Sequence, residues 1–549
     1  MSREPISMAG ANTHQQSNSS KSTQSSTRVP RMDQRRRPVI RYSEPHLHQI
    51  VNAACLNLVD FGYPIYARGA SLVRAAKVFQ SGGSDSFLVS PGSYSLIPVT
   101  KIGLIEQLGQ AICWQKFHQS SGEWRPVGCP SLVAEAILAR QGDWPFPQLL
   151  AVTTAPTLRG DGTILNEQGY DPSTGILFLS ELSWPTIPET PSLDDANRAL
   201  ETMKQLIKTF PFVSRTDKSA SLALILTALV RPGLPTAPLF GVTAPTPGTG
   251  KSKLIDIAAV LATGKTAAVM AVPREEAELK KQLDACLMAG DPFLALDNAD
   301  HPIRSEFLCQ VLTQEKVRAR ILGESRNLDL PTKVILTATG NSLRFAGDLT
   351  RRVVLIKLDA GMERPENRSF VEDVLEVAKR DRVKLVVAGL TMLRAFAVSG
   401  EKASASSFGS FETWSDRVRL ALIWLGEPDP LSNNENVRED DPERERLHSI
   451  IQSLPPGEWQ VGSIAKLLRE DAVRSDHQKR HAPLTEALYG FTDHKGLDLI
   501  GFGKYLRKHR DRIIDGKRIV GLGKRKGSAL WCIKDTRSAQ SLETEGERK

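Results

Sequence analysis

The 549-residue sequence predicts an α/β chain of several folded units, and three observations predict it. Apolar runs short enough for buried strands (APLFGVTAP, DPFLALDNAD and KVILTATGN) alternate with helical patterns between about residues 236 and 360. The first of these runs passes through the glycine-rich turn PTPGTGKS into the helical segment KLIDIAAVLATG. Near the C-terminus a basic helical segment precedes two strand-like runs. The length exceeds the roughly 100–200 residues of one domain, so more than one core is expected.

Taken in order, residues 1–38 are rich in Ser and Gln, poor in large apolar residues, and carry Arg31, Arg35, Arg36 and Arg37. Such a stretch cannot bury enough surface to order itself and reads as a disordered basic tail, either a solvated leader or a phosphate-contacting arm. Residues 39–190 mix short β-like runs with helical stretches, as in an N-terminal α+β domain. Within them TAPTLRGDGTILNEQGYDPSTGILF reads as consecutive turns between short strands, with Asp161 and Asp171 as turn residues more than ligands. No carboxylate pair there suggests a primase site. Residues 191–235 form two helical patterns, a collar whose first helix has Ser192 with Asp194 or Asp195 as its cap. The core spans 236–360, and a helical domain and charged linker follow over 361–444, with Trp414 and Trp424 at core spacing. The last unit, 445–535, precedes a short tail, 536–549.

Composition narrows the class. With 40% hydrophobic and 24% charged residues, a formal net charge of +9, and no apolar run near the roughly 18 residues of a membrane span, the chain is expected to be soluble. The opening residues lack a secretory apolar segment, so a cytoplasmic protein is expected. The six cysteines show no zinc-ligand spacing.

The strand, PTPGTGKS turn and helix supply the context of a Walker A phosphate loop. Pro247, Gly248, Thr249, Gly250, Lys251, Ser252 and Lys253 are the predicted nucleotide-binding residues. The glycines let backbone N–H groups wrap a phosphate, Lys251 neutralises the β/γ oxygens, and Ser252 offers a ligand to Mg²⁺. Pro245 stands where the consensus has its first glycine, a departure confined to the loop entry. The run DPFLALDNAD ends on Asp297, the second predicted metal ligand. Asn298 follows where a glutamate base is usual, and an amide cannot accept a proton. Either a nearby carboxylate serves, with Glu276 ahead of Glu275 and Asp300, or hydrolysis is slow. Asn341 ends the third run, where a polar side chain meets the γ-phosphate or the attacking water. Arg351 and Arg352 follow, as surface charges or as groups that reach a neighbouring subunit's ATP.

In this order GTGKS, LALDN, TATGN and DLTRRVVLIKL resemble the AAA+ ATPase core of bacteriophage and mobile-element replication proteins, relatives of superfamily-three and minichromosome-maintenance-like helicases. The resemblance extends to flanks on both sides, including FETWSDRVRLALIWLGEPDP. It implies ATP and Mg²⁺ as cofactors and a homo-oligomeric, hexameric ring that pulls DNA through its pore. Relatives often carry a fused primase, so a separate primase is a possible partner here.

Two regions are candidates for DNA contact. VRARILGESRNLDLP reads as a β-hairpin, and in the resembling helicases such a hairpin enters the pore; Arg318, Arg320 and Arg326 would then meet phosphates. At the C-terminus FGKYLRKHRDRII reads as a helix, and KRIVGLG and SALWCIK as strands flanking GKRKG, the shape of a winged helix. Lys504, Arg507, Lys508 and Arg510 on the helix and Lys524, Arg525 and Lys526 on the wing are the predicted contacts. The leading expectation is a DNA helicase or translocase. The alternatives are an AAA+ loader or remodelling switch with weak hydrolysis, and a DNA-binding adaptor with a structural nucleotide site.

Overall fold

The structure is a computed structural model, and it describes residues 37–77, 94–320, 327–472, 481–494 and 496–536. Both predicted tails lie almost wholly outside these residues.

The N-terminal unit is built on helix Leu47–Asp60, which buries Ile50, Val51, Ala54, Cys55 and Leu58 at helical spacing. It packs with helices Lys101–Ala111 and Ser131–Ala139 around one apolar cluster. A three-stranded sheet completes the unit. Val39–Tyr42 runs parallel to Cys113–His118, which pairs antiparallel with Glu123–Val127. Alternation sends Ile40, Tyr42 and Trp114 inward. The apolar cluster of this unit ends at Phe146, whereas Ala155, Leu158 and Ile187 belong to a larger cluster that runs on through the collar and core to Val437. The turn aspartates behave as expected. Asp161 accepts from the N–H and hydroxyl of Thr163, and Asp171 accepts from Ser173, Thr174 and Arg159.

Collar helix Leu193–Leu206 opens on a capping box, in which Ser192 accepts from the Asp195 N–H and the Asp195 carboxylate accepts from the Ser192 N–H. The next helix, Arg215–Val230, is buried on almost every side, so it runs through the body. Arg231, 2% exposed, donates to the carbonyls of Val334, Leu234 and Thr332 and ties this helix to the core.

The core is a five-stranded parallel sheet in the order Ala268–Ala271, Phe293–Asp297, Ile335–Asn341, Leu239–Ala244, Val353–Lys357. Its central strands are apolar on both faces, because helices cover both. Trp414 is fully buried in the same cluster and donates its indole N–H to Thr227 Oγ1 at 2.7 Å.

The C-terminal unit has its own apolar cluster, with Leu447, Ile450, Trp459, Phe502 and Trp531 among its members. Helices Pro442–Ser453, Val461–Ala472 and Leu499–Lys508 pack on an antiparallel sheet ordered Glu458–Gln460, Ser528–Asp535, Lys517–Arg525, Ile513–Ile514. Two local readings are corrected. The basic helix ends at Lys508, and Ile513–Ile514 is a strand paired with Lys517 and Arg518, because Asp511 and Asp515 take left-handed conformations that a helix cannot continue. GKRKG is not a loop. Lys524 and Arg525 lie on the strand opposite Ala529 and Ser528, and the turn is Lys526–Gly527 alone, both at positive φ as a two-residue hairpin turn requires.

Candidate nucleotide and nucleic-acid sites

The phosphate loop joins strand Leu239–Ala244 to helix Lys251–Thr263. Gly248 and Gly250 have φ of +72° and +106°, a region other residues enter at a cost. Space is also short. A Cβ at Gly248 would stand 2.9 Å from Glu366 Oε2, and one at Gly250 would stand 3.3 Å from Phe210 Cε1. Thr249 is 2% exposed and its hydroxyl donates to the Thr246 carbonyl, closing the loop on itself.

Four predicted residues converge at the end of the sheet. Lys251 Nζ donates to Asn341 Oδ1 at 2.7 Å and to the Thr246 carbonyl at 3.2 Å. Ser252 Oγ donates to Asp297 Oδ1 at 3.4 Å. Burial pulls the Lys251 ammonium below its usual range, and the Asp297 carboxylate opposes that shift. Thr339, which the sequence reading passed over, donates its hydroxyl to Asp297 Oδ1 and accepts from the Asn298 N–H at 3.0 Å. Asn298 has φ of +53°, so the chain leaves the Asp297 strand through a turn that asparagine tolerates.

Several other predicted residues bond to partners of their own. Lys253 pairs with Asp373 at 2.9 Å, and Pro247 is exposed. Glu276 Oε1 accepts from Ser305 Oγ at 3.0 Å and from the backbone N–H groups of Glu306 at 2.6 Å and Phe307 at 3.2 Å, at the start of helix Glu306–Thr313. Burial raises its pKa, but these bonds outweigh burial and hold it below the ordinary glutamate value. Glu275 is the N-cap position of helix Glu276–Ala289, without a side-chain cap bond. Asp300 is exposed between His301 at 2.6 Å and Arg274 at 3.5 Å.

Arg351 and Arg352 end a 3₁₀ turn, Gly347–Arg352, and both are gripped by Asp348. Arg352 is 8% exposed and its Nη1 has no hydrogen-bond partner. The turn borders a cleft of about 910 Å³ between core and C-terminal unit, also lined by Arg304, Arg444, Lys508 and Arg512.

The predicted hairpin pairs Lys316–Arg320 with Asn327–Pro331 in antiparallel register. Arg318 Nε lies 3.4 Å from Asp329, Arg320 is exposed, and Arg326 lies outside the described residues. In the C-terminal unit Lys504, Arg507, Lys508, Arg510, Lys524, Arg525 and Lys526 are all exposed. Of these, Lys508 bonds Glu443 at 2.6 Å and Arg510 bonds Asp511 at 3.1 Å. Among the described residues no helix is long and apolar enough to cross a membrane, and no cluster of three or more His, Cys, Asp or Glu side chains has metal-site geometry.

No protein-family model matches the chain, and no curated protein matches it. Similar solved structures include an apo form of the NrS-1 C-terminal region, at 10% identity over 81% of this chain and 94% of that chain, with a TM-score of 0.35. JCV helicase bound to an acetamide compound is another, at 13% identity over 46% of this chain and 72% of that chain, with a TM-score of 0.18. Likenesses this distant assign neither an activity nor a ligand to this chain.

Proposed function

We propose that the chain is an ATP-dependent DNA helicase or translocase with an AAA+ core, acting in replication of a phage, plasmid or integrated mobile element. The observation that carries this reading is the convergence of Lys251, Ser252, Asp297 and Asn341 at one end of a parallel sheet, beside a glycine loop that opens a helix. The sheet places the Asn341 strand between the Asp297 strand and the loop strand, so the polar end of that strand faces both.

The donor set suits a magnesium nucleotide. Lys251 has an oxygen acceptor in Asn341 and would pair with a phosphate oxygen, and the Ser252 and Asp297 oxygens, 3.4 Å apart, would hold a hard cation. ATP and Mg²⁺ would supply the phosphoanhydride bond and neutralise its charge. For its part the chain binds phosphate through loop N–H groups and Lys251, fixes Asp297 through Thr339, and offers Asn341 to orient water. The proton acceptor proposed first is Glu276. Arg351 or Arg352 is proposed to act across a subunit interface of a hexameric ring, with the 316–331 hairpin at its pore and the C-terminal unit as a winged helix on DNA. A separate primase would then be a natural partner. Asn298 favours one second reading, a loader or remodelling switch in which ATP binding matters more than turnover.

The test compares intact protein with Lys251→Ala for ATP turnover, with and without single-stranded DNA, and for unwinding of a forked duplex. DNA-stimulated turnover and unwinding, both lost in the variant, are expected. Turnover unchanged in Lys251→Ala refutes the phosphate site, and ATP-dependent assembly without unwinding selects the switch.

A further inference from the structure

The foot of the core sheet, at the end away from Asp297 and Asn341, holds a basic cavity of about 60 Å³. Three cations line it, each from a separate part of the chain. Arg68 ends strand Tyr66–Arg68, Arg231 follows helix Arg215–Val230, and Lys333 stands just before strand Ile335–Asn341. Arg68 is 5% exposed and Arg231 2% exposed. Burial pulls the pKa of Arg68 down to about 10 and that of Arg231 to about 9. Burial first, and then the charge of Arg231, pulls Lys333 down to about 8, so all three are charged at neutral pH. Their hydrogen bonds run to main-chain carbonyls. Arg68 donates to Leu150 at 3.1 Å and to Leu287 at 3.0 Å, Arg231 to Val334, Leu234 and Thr332, and Lys333 to Leu234 at 2.6 Å. A guanidinium and an ammonium carry more N–H donors than these bonds use, and Arg68 Nε is buried with no partner.

Carbonyls satisfy hydrogen bonds and leave the charge uncompensated. Among the described residues none of the three cations has an ion pair. Glu315, whose charge reaches Arg231 and Lys333, is exposed. Asp291 also lines the cavity, but it bonds the Cys286 thiol, and burial raises its pKa to about 7. A cation in contact would hold that carboxyl low instead. Buried charge needs a counter-ion, and here the chain brings none into contact. We propose that the cavity binds one small inorganic oxyanion of the phosphate or sulfate type. A tetrahedral oxyanion accepts from several N–H donors at once and supplies the negative charge. The volume suits a few waters, at roughly 10–15 Å³ each, or one such ion, and leaves no room for the organic part of a phosphate ester. Asp297 and Asn341 stand at the other end of the parallel strands, so this ion is not the phosphate of a nucleotide. Arg68 already reaches the carbonyl of Leu287 on helix Glu276–Ala289. An anion held by Arg68, Arg231 and Lys333 ties strand Tyr66–Arg68 and the collar to the core.

The experiment measures binding of radiolabelled phosphate to the full chain by equilibrium dialysis, below neutral pH and at constant ionic strength. Lys251→Ala is run beside the intact protein to remove phosphate held at the nucleotide loop. One phosphate should remain bound in Lys251→Ala, and phosphate should raise the melting temperature of both proteins. Lys333→Gln keeps a donor for the Leu234 carbonyl and removes the charge, so its affinity for this phosphate should fall at least roughly tenfold. Selenate, a sulfate analogue with an anomalous X-ray signal, should appear in the cavity in crystals of the intact protein, which reads the site without any variant. Loss of all phosphate binding in Lys251→Ala, undiminished binding in Lys333→Gln, or a cavity holding water alone in crystals grown with selenate overturns the site. ATP turnover of the intact protein and Lys251→Ala reports on the nucleotide site alone, so failure of either reading is seen separately.

Discussion

Asp291 lies at the foot of the strand that ends on Asp297, just past Gly290, the left-handed C-cap of helix Glu276–Ala289. It is 8% exposed, its Oδ2 has no hydrogen-bond partner, and it lines a cavity of about 60 Å³ shared with Arg68, Arg231 and Lys333. Burial raises its carboxyl pKa from 3.8 to about 7, and the Cys286 thiol offsets this only in part. The unfolded chain therefore releases this proton near pH 4 and the folded chain near pH 7. Folding stability from this group is full below pH 4, falls as pH rises through that window, and is level above it. At about 1.36 kcal/mol per unit, a shift of roughly three units costs about 4 kcal/mol at pH 8. Asp291→Asn removes the titration and keeps the size. Denaturant unfolding of both proteins between pH 4.5 and 8 should show the variant gaining stability over the parent as pH rises, by an amount of that order. A stability difference that does not change with pH refutes the assignment of a buried, protonated Asp291.

Four further predictions address the sites. Glu276→Gln keeps an oxygen acceptor for the N–H groups of Glu306 and Phe307, so stability should hold within about 1 kcal/mol while ATP turnover falls at least tenfold; unchanged turnover removes Glu276 as the base. Asp348→Ala leaves the buried Arg352 without its carboxylate and should cost about 1–3 kcal/mol in unfolding measurements, whereas a mixture of Arg351→Ala and Lys251→Ala subunits should regain turnover at interfaces that pair intact halves. Replacing Lys524, Arg525 and Lys526 by alanine should weaken duplex binding across unrelated sequences and reduce the salt slope of affinity by up to roughly three units; an unchanged slope places duplex contact elsewhere.

What the sequence made legible was chemistry held within a few residues. The PTPGTGKS turn, the strand before it and the helix after it stand where the residues place them, since glycine conformation, strand burial and helix start are local properties. The Ser192 cap is legible for the same reason. Contacts between distant residues were not. Nothing local marks Ala155, Leu158 and Ile187 as partners of the collar, because their neighbours are supplied by helices far along the chain. Thr339 had one usable signal, a hydroxyl in an otherwise apolar strand, which burial obliges to find a partner and which finds Asp297 and Asn298. The basic helix was read too long because apolar spacing continues into Ile513 and Ile514 whether the backbone is helix or strand, and left-handed aspartates decide between them.

The paired arginines show what the fold adds to such a reading. In the sequence Arg351 and Arg352 are equivalent, and either could stay at home or reach a neighbour. Asp348 holds both, yet Arg352 is 8% exposed while the Arg351 side chain is 45% exposed. Withdrawing Arg352 from Asp348 would strip a buried charge of its counter-ion, a large cost. Withdrawing Arg351 exchanges one half-exposed ion pair, worth at most about 1 kcal/mol, for another. A phosphate presented by a second subunit could repay the second exchange and not the first. Asp348 and Arg352 thus form the fixed base of the turn, and the proposed role across an interface falls to Arg351.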